Sequence, residues 1–514
     1  MNRKDFWFGN GRVGARVGRA LTVALGLALA LAVPGIPQEP PTDAFGANAD
    51  AQFAEPALLE FSAEAIGNDP RARLLRWHEI SMAATALDHT PPPPGDPRVF
   101  REQLGPHRSS RALAIVHIAM FDAINAITGN NFRSYTGLPP VRQETGINVA
   151  IAKAAHDTLV ALWPAQRAKF DTLVAEDLAE FPDGDVKSRG IALGSRAAAA
   201  ILALRANDGS AHAEPVVGVD YFPGTGIGEW QPDPISQINV ALGARWSQVR
   251  PFVLQSASQF RSAPPPAFNS SRYTAAYNEV KRLGGDGVTT PTQRTTTQTV
   301  IGIYWGYDGT PNLAAPPRLY NQITVRIANQ RGTGTQSVVN LARLLALVNT
   351  AMADAGLACW ESKYVHKFWR PITGIRRGNQ DGNLNTIVDA TYSPLGAPAS
   401  NINPGVNFTP PFPAYPSGHA TFGGALFQIL RRFYGTDNIP FTFVSDEFNG
   451  VTTDNHGTVR PRIPRSFPNL VTAELENGQS RIYLGIHWEF DKTAGIIQGR
   501  QVADFVLNNA FQRR

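Results

Sequence analysis

Three short stretches carry residue types whose spacing could do chemistry. The central one is Tyr415-Pro416-Ser417-Gly418-His419, followed by an apolar run from Ala425 to Leu430. The proline breaks an incoming loop, and Ser417 falls where a helix N-cap is expected. A helix start offers unpaired backbone N–H groups and the positive end of a dipole, a ready seat for a tetrahedral oxyanion. Gly418 allows close backbone approach, and His419 adds a titratable proton. Alone, the tetrapeptide reads equally as a capped helix with a surface histidine. Upstream lies Lys363, then six residues, then Arg370-Pro371. Downstream lies Ser480-Arg481, five residues, His487, three residues, and Asp491. The three stretches together supply three fixed cations, a hydroxyl and two imidazoles. Arginine suits bidentate contact with an oxyanion, and lysine suits a point charge. On a helix, His487 and Asp491 would share a face, so Asp491 either orients His487 or simply solvates that face.

The elements that must position these groups are helical. Apolar spacing predicts helices over 109–128, 147–163, 165–181, 186–207, 318–330, 336–368 and 418–434, with two helical pieces between 480 and 509. Pro371 is expected to stop the longest of them. Residues 209–290 and 372–414 read as long loops, and 435–470 as irregular. His117 sits on an apolar helix and reads as a core histidine. The expected architecture is all-α, a helical bundle with long irregular covering loops.

Length and charge narrow the class further. The chain has 514 residues and a net charge of +5, with no basic run interleaved with aromatics, so nucleic acid is not an expected partner. Cys359 is the only cysteine, which excludes an intramolecular disulfide and fits a buried, inert thiol. Residues 1–33 combine Arg3, Lys4, Arg12, Arg16 and Arg19 with an apolar run from Ala20 to Val33. That pattern fits an export signal, with an N-terminal anchor as the alternative. Residues 34–75 are rich in Pro, Ala and acidic groups and read as a disordered linker. A single helical domain is expected over 76–514. The expected mature protein is exported, periplasmic or secreted, and not membrane-embedded.

Lys-x6-Arg-Pro, Pro-Ser-Gly-His and Ser-Arg-x5-His-x3-Asp, in that order, resemble the three-part signature of vanadium-dependent haloperoxidases. The same signature is shared by type-2 phosphatidic acid and class A acid phosphatases. The resemblance to the fungal-type chloroperoxidases extends to Phe408–Tyr415, Ser445–Gly450 and Gly485–Asp491. It implies a vanadate cofactor, with no haem and no flavin. Lys363, Arg370 and Arg481 would neutralise its oxygens, and Ser417 and the Gly418 N–H would bond to them. His487 would be the metal ligand and His419 the acid–base group. Lys363 would polarise the oxidant, so that hydrogen peroxide and a halide give hypohalous acid for a small organic acceptor. Bromide is the expected halide and chloride a further candidate. Trp360 and Phe412 match the apolar side of the halide pocket in that family, although core packing explains them equally. Algal bromoperoxidases carry a second histidine where this chain has Phe412. Asp308 matches a carboxylate near Arg481, and Asp491 is a candidate acceptor for His487. The alternative within the same signature is an acid phosphatase, with His487 as nucleophile through a phospho-histidine. An oxyanion-binding protein without catalysis is a third reading, and an oligomer is compatible with all three.

Overall fold

Burial and capping fix thirteen helices among the described residues of the computed structural model, which are 66–96, 98–332 and 337–514. The expected signal at 1–33 and most of the expected linker lie outside them. The first group is α1 (Pro70–Asp88), α2 (Gly105–Ile127), α3 (Ile147–Leu162), α4 (Arg167–Ala179) and α5 (Asp185–Arg205). Then come α6 (Ser271–Leu283), α7 (Thr296–Tyr304), α8 (Pro316–Arg331), α9 (Val338–His366) and α10 (Pro371–Arg376). The last three are α11 (Gly418–Tyr434), α12 (Leu470–Tyr483) and α13 (Glu489–Asn509).

The long helix α9 packs against both halves of the fold. One side meets α2, which gathers α3 and α5; the other meets α11 and α13. Its length follows from an almost unbroken apolar surface, with Leu341, Leu344, Leu345, Val348 and Met352 all fully buried. Both α2 and α9 have the length and hydropathy of a membrane span, and most of each lies inside the fold, as core helices do. The single cysteine, Cys359, is buried on α9, and burial raises its thiol pKa.

Helix ends follow local chemistry. Asp69 caps α1 through the Arg71 N–H at 2.8 Å, and Pro70 takes the first turn, where its missing N–H costs nothing. Residues 70–75, which composition assigns to the linker, therefore belong to α1. Thr295 and Gln298 form a capping box on α7. Helix α9 ends at Lys367, in the left-handed region with φ 48°. Pro371 is not its terminator; it opens α10, again in the first turn.

Three other stretches differ from the sequence reading, the first being 372–414, whose opening residues belong to α10. The region 209–290 contains α6, and 435–470 contains a two-stranded antiparallel pair. Strand β1 (Phe441–Val444) runs against β2 (Pro464–Phe467), with Phe441 opposite Phe467. The covering loops are held by buried carboxylates that accept backbone N–H groups. Asp354 on α9 takes those of Phe252, Val253 and Leu254 at 2.7–2.9 Å. Asp122 on α2 takes those of Tyr135 and Thr136. Such bonds satisfy backbone donors that a loop packed on a core would otherwise leave dry.

Helices α11 and α13 pack most closely of all. A Cβ on Gly499 would fall against the Thr421 carbonyl, and one on Gly495 would lie 2.7 Å from the Ser417 carbonyl. Small residues are needed here because the backbone of α13 rests on the first turns of α11. Gly495→Val should therefore cost about 1–3 kcal/mol or more by overpacking. A lowered urea midpoint is the measurement; an unchanged midpoint would mean that α13 shifts freely.

Candidate oxyanion-binding site

Helix ends and the loops between them bring the candidate residues together. Trp360 and Lys363 come from the last turns of α9, and Arg370 from the residue just before α10. Ser417, Gly418 and His419 stand at the start of α11. Arg481 lies in the last turn of α12, His487 in the α12–α13 connection, and Asp491 in the first turn of α13. Asp308 follows α7. All but Asp308 are buried residues, Lys363, Arg370 and Asp491 completely, and Asp308 is half-buried with its side chain turned inward. Ser417 is the N-cap of α11, accepting the Ala420 N–H at 3.5 Å, as its position in sequence predicts.

His487 and Asp491 do not share a helix face. His487 precedes the N-cap residue Trp488, and Asp491 reaches back to it from inside α13. The Asp491 Oδ2 accepts from His487 Nδ1 at 2.8 Å and from the Trp488 N–H at 3.1 Å. The proton of His487 is thereby fixed on Nδ1, and Nε2 carries the lone pair. Nε2 accepts from Arg370 Nη1 at 3.0 Å. Burial lowers the His487 pKa well below its usual value, with the Arg370, Lys363 and Arg481 cations adding to the effect. The imidazole is neutral, the form a metal ligand or nucleophile requires.

His419 is arranged the other way round. Its Nε2 donates to the Gly306 carbonyl at 2.7 Å, which leaves the lone pair on Nδ1. Burial again depresses its pKa, with Arg481 the next cause. Arg481 Nη2 pairs with Asp308 Oδ1 at 2.6 Å, so the expected partnership is present. Burial raises the pKa of Asp308, and the charge of Arg481 opposes that rise.

Lys363 departs from expectation. Its Nζ donates to the Pro413 and Ala414 carbonyls, both at 2.9 Å, and to that of Pro416. All three ammonium donors are spent on the loop that leads into Ser417. Desolvation pushes its pKa down to about 7. Lys363 therefore anchors that loop and contributes its charge from behind it. Phe412 packs against the cations and Trp360, and the Lys363 Nζ also lies 5.8 Å from the Trp360 ring centroid. The Lys363 Nζ stands 5.0 Å from the Phe412 ring centroid, the Arg370 Cζ 4.9 Å, and the Trp360 ring 4.9 Å.

At this site three buried guanidinium nitrogens among the described residues have no hydrogen-bond partner: Arg370 Nη2, Arg481 Nε and Arg481 Nη1. Buried donors are almost always paired, so these fit an anion. Charge agrees, since three buried cations face the two carboxylates of Asp308 and Asp491. Trp360, Phe412, Gly418, His419, Arg481 and His487 line a cavity of about 400 Å³. Lys363 and Arg370 stand behind its wall. Among the described residues, no group of three or more His, Cys, Asp or Glu side chains is placed to hold a metal ion. The donor set suits an oxyanion bearing one histidine ligand, and vanadate is such a group.

Four supporting residues escaped the sequence reading. The Tyr320 hydroxyl and Asn477 Nδ2 each bond the His419 carbonyl at 2.9 Å. Asn477 stands four residues before Arg481 on α12, so helical spacing from Arg481 would have found it. Glu447 is fully buried, and accepts from the Tyr307 N–H, the Ser400 hydroxyl and Arg460 Nη1. It fixes the corner whose Gly306 carbonyl holds His419 and whose Asp308 holds Arg481. Burial raises its pKa to about 7. Gly306 packs against Glu447 so closely that a Cβ there would overlap the carboxylate.

Comparison with known proteins agrees with this geometry. The family model described as the VCPO second helical-bundle domain matches residues 343–513. The vanadium chloroperoxidase of Curvularia inaequalis is 32% identical over 499 residues, covering 82% of this chain and 79% of that protein. Two solved structures share the fold. The first bacterial vanadium-dependent iodoperoxidase gives a TM-score of 0.66 at 23% identity, over 88% of this chain and 99% of its own. A holo-type bacterial vanadium-dependent chloroperoxidase gives 0.62 at 16% identity, over 88% and 98%. With its buried cations, its two neutral imidazoles and this extent of similarity, the chain belongs to the vanadium-dependent haloperoxidases, a family of halide-oxidising oxidoreductases.

Proposed function

We propose that the chain binds vanadate in this cavity and oxidises bromide, with chloride as a further candidate, by hydrogen peroxide. The product is hypohalous acid, which halogenates small organic acceptors. One observation carries this reading: partnerless buried guanidinium nitrogens stand beside a neutral histidine whose lone pair is on Nε2, where its one partner is Arg370 Nη1. Bound vanadate supplies a Lewis acid that activates peroxide towards halide without a change in the metal's oxidation state.

The roles of the residues follow from their bonds. His487 supplies Nε2 to the metal, with Asp491 holding Nδ1–H and raising the basicity of the ring. Arg370 and Arg481 neutralise the oxygens through their unpaired N–H groups. Ser417 and the Gly418 N–H stand at the helix start beside them. Lys363 adds positive charge beside Phe412. His419 takes and returns a proton at Nδ1, while Gly306 keeps the other nitrogen protonated. The apolar wall of Trp360 and Phe412 keeps water sparse around the halide and favours the more weakly hydrated ions. Export through the N-terminal segment belongs to the same proposal.

Purified protein with bromide, peroxide and a phenolic acceptor should halogenate only when orthovanadate is present. Turnover of p-nitrophenyl phosphate without vanadate, and its inhibition by vanadate, would instead assign the cage to phosphoryl transfer through His487. A second pair of variants separates ligand from proton carrier. His487→Ala should abolish vanadate binding in calorimetry. His419→Ala should still bind it and lose on the order of 10²–10⁴ in turnover. Equal affinity in both variants contradicts the assignment. Asp491→Ala removes the acceptor of Nδ1–H and should weaken vanadate by about 10–100-fold. Native affinity in that variant would show that the carboxylate only caps α13.

A further inference from the structure

The cavity is far larger than its inorganic substrates need. Peroxide and a halide ion each take a volume comparable to one or two waters, at about 30 Å³ per water. About 400 Å³ is the range of sites that hold organic molecules. Beyond the floor formed by His419, Arg481 and His487, the walls are apolar. Ile235, Ile238, Val240, Ile402, Val406 and Phe408 all line this part. Three of them remain substantially open to solvent, Ile235 at 38%, Ile402 at 40% and Val406 at 59%. Exposed apolar side chains that continue into a deep cavity mark a ligand site rather than ordinary surface.

A second feature of the mouth is Arg101. It lines the same cavity and is exposed. Among the described residues its guanidinium has no ion pair and no hydrogen bond; it rests on the Phe100 ring at 4.3 Å. The nearby carboxylate of Asp88 is already engaged, its oxygens accepting the Glu102 and Gln103 N–H groups at 2.7 and 2.8 Å. Asp308 and Arg481, the other oppositely charged groups of the lining, pair with each other. Arg101 thus feels the Asp88 charge only at a distance, and among the described residues its guanidinium makes no direct ion pair at the cavity. It is also held in the left-handed region, φ 71°, which only a minority of side chains tolerate, by its own N–H on the Asp88 carbonyl at 3.1 Å.

From these observations we infer that the outer cavity binds the organic acceptor itself, an apolar molecule bearing a carboxylate that pairs with Arg101. This rests on the haloperoxidase reading of the floor. The acceptor's electron-rich carbon lies over the floor where hypohalous acid forms. The halogen of HOX forms a bond to that carbon, the O–X bond breaks, and the displaced ring proton joins the hydroxide: R–H + HOX gives R–X + H₂O. The oxidant is the product of the proposed activity, so no further reagent is needed.

The test uses the full chain loaded with vanadate. Equimolar 4-(4-hydroxyphenyl)butanoate and its methyl ester compete for bromination. Their phenol rings are alike, so hypobromous acid released to solution brominates both equally. The acceptor site predicts about tenfold or greater preference for the acid, in line with one charge-assisted contact. Arg101→Asn should bring the ratio close to one, and Arg101→Lys should keep most of it. Asparagine is chosen because it tolerates positive φ, so the loop is not strained by the change. In a separate calorimetric titration without peroxide or bromide, the acid should bind saturably to the native protein and at least tenfold more weakly to Arg101→Asn. Equal bromination of the two phenols, a preference that Arg101→Asn leaves intact, or absence of saturable binding would each overturn the inference. An Arg101→Asn loss that is equal for both acceptors would also overturn it, since Arg101 would then steer halide. Failure of the underlying reading looks different: neither phenol is brominated in a vanadate-dependent way.

Discussion

Burying more positive than negative charge is the constraint on which the rest of the structure depends. Lys363, Arg370 and Arg481 are each almost fully dehydrated, and Asp308 and Asp491 are the carboxylates that face them. Removing an ion from water costs several kcal/mol even after relaxation, so such a set persists only if every charge is bonded or awaits a counter-ion. The three cations meet this in different ways. Lys363 spends its donors on three loop carbonyls. Arg481 shares itself between Asp308 and two free nitrogens. Arg370 bonds two carbonyls and His487 and keeps one nitrogen free. The unpaired nitrogens of the latter two suit an anion as their counter-ion.

Helix ends are where such a set can be assembled. The termini of α9, α11, α12 and α13 meet at one place because α11 and α13 pack at backbone contact and α9 lies across both. The loops that lead into α11 and α13 carry carbonyls outside any helix, and these become the ligands of the cations: those of 413, 414 and 416 for Lys363, and of 412 and 486 for Arg370. The same loops that complete the helices therefore hold the charges. Packing and electrostatics are not separable here. Loss of the close α11–α13 approach would open the cage even with every charged side chain intact.

Much of this was legible in the sequence, and the reasons for the remainder are physical. The helices came from apolar periodicity, which burial enforces, so α2, α3, α5, α8, α9 and α11 appeared within a few residues of their ends. Ser417 as N-cap and Asp308 beside Arg481 were readable because short-range capping and the shared signature both leave marks. Helix α6 is hard to read because it is short, is flanked by loop residues, and opens its buried face with Tyr273 and Tyr277 before Val280 and Leu283. Pro371 was assigned to the end of one helix when it begins another, since proline is compatible with either side of a boundary. The role of Lys363 in holding carbonyls, and of Glu447 in bracing the corner at 306–308, depends on partners fifty to more than a hundred residues away. No local pattern records those distances.

The two imidazoles show how the fold gives identical side chains different chemistry. Both are neutral because burial and neighbouring cations oppose a further charge. What separates them is the partner of the protonated nitrogen. His487 donates to a carboxylate, which pushes electron density towards Nε2 and makes it a better donor to a metal or a phosphorus atom. His419 donates to a peptide carbonyl, which fixes the ring without adding negative charge, so its Nδ1 remains a weak base that gives a proton back readily. A catalytic base benefits from being easily reset, whereas a ligand benefits from being strongly basic. Exchanging the partners would exchange the tendencies. The division of labour proposed for the two rings would therefore lie in Asp491 and Gly306 as much as in the histidines themselves.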